Sequence, residues 1–164
     1  MEPITFAEYT LLRTQGIRPE IHFVRTDGGR AAAGFKGTTG DCAVRSIALA
    51  SGQPYSEVYG AIYEMARVHS ASCRKRKYNP TPRRGVATVV TRRYMASLGW
   101  TWTPTMGIGT GCGVHLRKDE LPSGNLVVHV SAHLTAVQDG VILDAYDPSR
   151  GGTRCVYGYF RQES

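Results

Sequence analysis

Between Met65 and Lys118 the sequence has no acidic residue, while the same stretch holds 11 lysines and arginines. The rest of the chain carries 9 basic and 13 acidic residues, so the net charge of +7 belongs to one segment. A segment charged with one sign cannot neutralise itself. It is either a solvated loop or a surface that meets an anionic partner, an acidic protein or a nucleic acid. Aromatic residues are sparse within it: Tyr78 and Tyr94 flank the charges without the interleaving that stacks bases, which weakens the nucleic-acid form.

Other absences narrow the class. No apolar run approaches the roughly 20 residues of a membrane span, so no membrane partner is expected. The opening residues lack a basic start followed by an apolar stretch, and a cytoplasmic protein is the expectation. The four cysteines (Cys42, Cys73, Cys112 and Cys155) form no CxxC pair. That excludes finger-like zinc spacing, predicts no metal and no cofactor, and in a reducing compartment predicts free thiols. The glycine-rich loop Gly109-Thr110-Gly111-Cys112-Gly113 lacks the Lys and Ser/Thr of a phosphate cradle.

What is present reads as α+β over a single domain, 1–164. Helices are expected at Thr5–Gln15, at 41–51, from Gln53 to near His69 with Ser56 as N-cap, and from Gly85 to Leu98. Ala43, Val44, Ile47, Ala48 and Ala50 give the second of these a buried face. Thr39 or Asp41 is positioned to cap it, and Gly52 ends it. Residues 70–85 form an exposed loop, with Arg74, Lys75, Arg76, Lys77, Arg83 and Arg84 around Asn79-Pro80-Thr81-Pro82. Ile21–Val24 and Trp100–Trp102 read as short strands. From Asn125 the pattern turns to period two: strands are expected at 126–130, 133–137, 141–146 and 154–159, forming a C-terminal antiparallel sheet. Asp139-Gly140 is a hairpin signal.

One stretch carries chemistry. Gly37-Thr38-Thr39-Gly40 runs into the helix at Asp41-Cys42. A cysteine in the first helical turn sits where N–H groups and the positive end of the helix dipole favour a thiolate. Such a nucleophile needs a base and a group to orient that base. A two-residue turn at Asp139-Gly140 pairs Gln138 with Val141 and Ala136 with Leu143. His133, Thr135 and Val137 then share a face with Ile142, Asp144 and Tyr146. Asp144 becomes the diagonal neighbour of His133, about 7–8 Å away between backbones, within reach of long side chains. Tyr146, opposite His133, is placed to cover the pair. The same parity puts His129 on this face, but with no acidic neighbour it reads as structural. His115 follows a loop with nothing to position it.

The order Cys42, His133, Asp144 resembles the papain-like cysteine peptidase superfamily, in which the nucleophile opens a helix and the His and its Asn or Asp lie on adjacent antiparallel strands. Gly40-Asp41-Cys42-Ala43 is similar to the nucleophile segment and Ala132–Val137 to the histidine strand. Asp144-Ala145-Tyr146 resembles the Asn-Ser-Trp of papain, with Asp in place of Asn. Asp147-Pro148 resembles the Asp-Pro of bacteriocin-leader peptidases, which makes Asp147 the second candidate to orient the base. The resemblance implies a peptidase or isopeptidase acting on a peptide or protein through a Cys42 thiolate and an acyl-enzyme. It also implies a Gln about six residues before the cysteine as oxyanion donor. Lys36 stands there instead, leaving Lys36, Thr38 or Thr39 as substitute donors, or backbone alone. The rival reading is a catalytically silent domain of this fold that binds an anionic partner through residues 74–93.

Overall fold

The structure is a computed structural model that describes residues 6–16, 23–37, 40–75 and 77–163. Thr5, Ile21, His22, Thr38, Thr39 and Arg76 lie outside the described residues.

Helix α1 (Phe6–Thr14) and strand β1 (Phe23–Arg25) precede three successive helices, α2 (Cys42–Ser51), α3 (Tyr55–Ser72) and α4 (Thr88–Ser97); β2 (Trp100–Pro104), β3 (Asn125–Val130), β4 (His133–Gln138), β5 (Val141–Asp144) and β6 (Val156–Gln162) follow. The strands form one six-stranded sheet in the order β1-β5-β4-β3-β6-β2. The architecture is α+β, with α2, α3 and α4 packed on the sheet. The sheet is mixed rather than antiparallel and not confined to the C-terminal half, because β1 pairs parallel to β5. Strand β2 closes the other edge against β6. Both edge strands come from the helical half, where three- and five-residue segments carry too little periodicity to fix a partner.

Alternation along β3 builds two cores. Val127 faces the helices, packing with Val44, Ile47, Ile62, Met95 and Phe160. Leu126, Val128 and Val130 face the other way, with Val137, Ile142, Leu116 and Val156. Each large side chain fully buried there contributes about 1.5–3 kcal/mol. The loop after β2 covers the second face through Val114, Leu116 and Leu121. That loop is fastened to the start of β6 by Leu116 N–H donating to Arg154 O at 2.8 Å, by a His115–Cys155 bridge and by a disulfide between Cys112 and Cys155.

The disulfide corrects the expectation of four free thiols; only Cys42 and Cys73 are free. Forty-three residues separate the bridged cysteines, so spacing gave no hint of the pairing. Among the described residues no helix is long and apolar enough to cross a membrane, and no group of three His, Cys, Asp or Glu side chains is placed to hold a metal.

Helix boundaries shift for local reasons. α3 begins at Tyr55, so Ser56 is inside it and Pro54 occupies the cap position. It continues past His69 because the returning loop docks on its end. Ser70 Oγ donates to Tyr78 O at 2.6 Å, and His69 Nδ1 lies 2.7 Å from the Tyr78 hydroxyl. α4 starts at Thr88 rather than Gly85, since Pro82–Arg84 forms a 3₁₀ turn and Gly85 has φ +95°. Among the described residues the connection therefore covers 73–75 and 77–85, exposed at its basic side chains and buried at Pro82.

Candidate active site

Two tight turns and one helix start converge on the site. Asp139 and Gly140 both have positive φ (49° and 81°), the geometry of a type I′ hairpin. The pairs Gln138–Val141, Val137–Ile142 and Ala136–Leu143 follow from it. The β3–β4 turn is equally short: Val130 pairs with His133, leaving Ser131 and Ala132 as its two residues, the latter at φ 54°. His133 thus emerges directly from a constrained turn, and Asp144 ends β5 beside it. His133 Nε2 lies 2.7 Å from Asp144 Oδ2, and both side chains are buried.

Cys42 opens α2 and lines one cleft with His133 and Leu134, whose ring and backbone N–H act on its sulfur. With Nε2 engaged by Asp144, Nδ1 is the ring nitrogen left for the sulfur. Burial pushes the Cys42 thiol up. The hydrogen bonds from His133 and Leu134 and the charges of His133 and Arg45 outweigh it, and the thiol ends below its ordinary value of 9.0. Burial likewise pushes His133 down, but hydrogen bonds to Asp144 and Cys42 and their charges raise it from 6.5 to about 9. Each shift favours the charged form of its own group beside the other.

The other candidates divide. Tyr146, nearly half exposed, lays its ring 5.1 Å from the His133 ring, in the covering position expected of it. Asp147 is elsewhere: it is exposed, accepts the Ser149 N–H at 2.9 Å, and lines a second cavity on the opposite sheet face, because β5 has ended before it. Lys36 is exposed and is not among the residues lining the cleft at Cys42. Thr38 and Thr39 lie outside the described residues. The donor with a fixed place is the Cys42 N–H itself, since the first N–H groups of a helix have no intrahelical acceptor. Arg74, Lys75, Lys77, Arg83 and Arg84 are exposed as expected. Arg83 does more than carry charge: its carbonyl accepts the Gly40 N–H at 2.7 Å, so the basic loop rests against the nucleophile segment. A Cβ at Gly40 would lie 3.4 Å from both Arg83 O and Gly85 N.

Sequence reasoning missed a buried ionic network behind the triad. Asp41 does not cap α2 with its side chain. Its carboxylate takes hydrogen bonds from Arg45 Nε at 3.0 Å and the Tyr55 hydroxyl at 2.6 Å, and Arg30 Nε is 2.9 Å away. Arg45 then extends Nη1 to Asp144 Oδ1 at 3.0 Å. The signal was present: Arg45 is the single charged residue of an otherwise apolar and small helix, with Asp41 at i−4.

His115 is positioned after all, by its bridge to Cys155 and by Glu120 at 3.1 Å from Nδ1. His129 also has a role the sequence did not disclose. It lines a cleft of about 240 Å³ that opens beside Cys42 and His133, with Trp102, Arg92 and Thr91 farther along.

No protein-family model matches the chain, and no curated protein or solved structure matches it.

Proposed function

We propose that the protein is a papain-like cysteine hydrolase that cleaves peptide or isopeptide bonds, with transfer of the acyl group to an amine as the close variant. The observation that supports this reading is the chain of contacts from Cys42 to His133 to Asp144: a helix-start thiol on an imidazole whose far nitrogen is held at 2.7 Å by a buried carboxylate. The Cys42 thiolate attacks the substrate carbonyl carbon, forming an S–C bond. The Cys42 N–H supports the oxyanion. Collapse breaks the C–N bond, and the His133 imidazolium gives its proton to the leaving amine. Water then attacks the thioester as His133 accepts one of its protons. The C–S bond breaks, the acid is released and the ion pair returns. Asp144 fixes the ring orientation throughout.

Iodoacetamide labelling of the native protein, read by mass spectrometry, tests the assignment. Cys42 should react on the order of tenfold or more faster than Cys73, and the advantage should vanish in His133→Ala. Equal rates at the two free thiols would sink it.

The second reading, a silent domain binding an acidic protein or nucleic acid, is favoured by the exposure of Arg74, Lys75, Lys77, Arg83 and Arg84 together. Charge reversal at Arg74, Lys75 and Lys77 should then abolish retention on an immobilised polyanion while Cys42→Ala keeps it.

A further inference from the structure

The cleft beside Cys42 is lined by Val86, Leu134 and Phe160 on its apolar side. Among the described residues no carboxylate lines it. Its polar groups converge from two elements. On α4, Arg92 places its guanidinium 5.2 Å from the centre of the Trp102 ring, a cation–π contact that holds the charge at the cleft wall. The neighbouring Thr91 lines the same cleft, but its hydroxyl is itself enclosed and out of reach of a ligand. On β3, His129 packs its ring against Trp102 and Tyr157. Burial first, and the Arg92 charge second, hold that imidazole below its ordinary value, so at neutral pH it offers a neutral N–H rather than a second cation.

At about 240 Å³ the space falls below the range of roughly 300–1,000 Å³ typical of whole-ligand pockets and suits a single substituent. We propose that this cleft is the specificity pocket of the Cys42 site and takes a carboxylate-bearing group of the substrate, with Arg92 as its counter-ion and His129 as a hydrogen-bond donor. The proposal rests on the reading of Cys42 as the nucleophile. The apolar wall accepts the methylene stem, and the cation and ring N–H meet the two carboxylate oxygens. A carboxylate is the group that engages both as acceptor. It comes from either of two sources, an acidic side chain or a free chain terminus.

Two pairs of thiol-directed probes separate the sources. N-acetyl-Ala-Glu chloromethyl ketone against its Gln counterpart reports a side-chain carboxylate. Bromoacetyl-leucine against bromoacetyl-leucinamide reports a terminal one. In each, the Cys42 sulfur displaces halide and forms one S–C bond. Rates are divided by the iodoacetamide rate of the same variant, which removes any change in the thiol itself. The expected result is a preference of about tenfold or more for the carboxylate in at least one pair, lost in Arg92→Gln and kept in Arg93→Gln. No preference in either pair, or one that survives Arg92→Gln, overturns the proposal while leaving fast iodoacetamide labelling, and hence the nucleophile, intact. If Cys42 itself proves unreactive, NMR of the His129 ring decides the pocket separately. A saturable shift with N-acetylglutamate, absent with N-acetylglutamine amide, which carries no carboxylate, supports it, and no shift with N-acetylglutamate or an equal shift with both rejects it.

Discussion

Arg45 Nη1 donates to Asp144 Oδ1 at 3.0 Å, across 99 residues of sequence. The other oxygen of the same carboxylate, Oδ2, meets His133 Nε2. One buried carboxylate is therefore shared between a structural cation and the base. Arg45 lies one helical turn after Cys42, so a single helix supplies both the nucleophile and the anchor of the group that orients its base.

Removing the shared carboxylate should act on both sides. In Asp144→Asn the first-ranked support of His133 goes, and its value should fall from about 9 toward 6.5. Proton titration of the ring by NMR checks this. Each unit lost corresponds to about tenfold in the balance between ion pair and neutral pair. Cys42 alkylation near pH 6 should slow on the order of tenfold.

Arg45→Met should be a stability mutation before it is an activity mutation. It leaves Asp41 and Asp144, 1% and 3% exposed, short of their common cation. Breaking a buried pair by deleting one partner costs about 3–5 kcal/mol. Urea denaturation should show that loss. Arg45→Lys should restore only part of it, because one ammonium cannot reproduce the fork that spans the two carboxylates.

The pH dependence of stability should differ between the native protein and Cys42→Ser. His133 has a raised folded value, so its contribution is complete below 6.5 and is lost as pH rises toward about 9. Cys42 has a lowered value, so its contribution is present above 9.0 and is lost as pH falls through the lowered value. In the native protein the two offset each other between 6.5 and 9. In Cys42→Ser only the histidine side remains, supported by Asp144 without Cys42, and urea midpoints should decline as pH rises above 6.5, with the loss complete before 9. A native profile that declines as steeply as the variant's would contradict the ion pair.

Gly158→Ala should damage the cleft from behind. An added Cβ would lie 2.4 Å from the Trp102 ring and 2.7 Å from Thr103 O. The indole must move, and with it the platform under Arg92. Overpacking of this kind costs about 1–3 kcal/mol. Urea denaturation reads the loss, and any carboxylate preference of Cys42 labelling should shrink with it.

The disulfide gives a thiol count and a stability step. The native protein should expose two titratable thiols before reduction and four after. Closing a loop across 43 residues predicts a loss of about 2–4 kcal/mol in Cys112→Ser with Cys155→Ser. At this chain length each kcal/mol corresponds to a Tm shift of roughly 2–4 °C.

What the sequence determined was local or periodic. Helix α2, the Asp139-Gly140 turn, the register of β4 on β5 and the face shared by His133 and Asp144 all follow from spacings of a few residues. The sign of φ at a turn and the two-residue repeat of a strand leave little choice. The choice of Asp144 over Asp147 came from that parity, and the coordinates place Asp144, not Asp147, on the imidazole. Only the tertiary structure decided the rest. It added β1 parallel to β5, joined Cys112 to Cys155, brought Arg45 to Asp144 and Arg92 to Trp102, and set His129 in the cleft wall. Each of these joins segments far apart in the chain, where no short-range pattern ranks one partner over another. Packing on a common sheet makes the selection, because burial fixes which distant charges and rings must find each other.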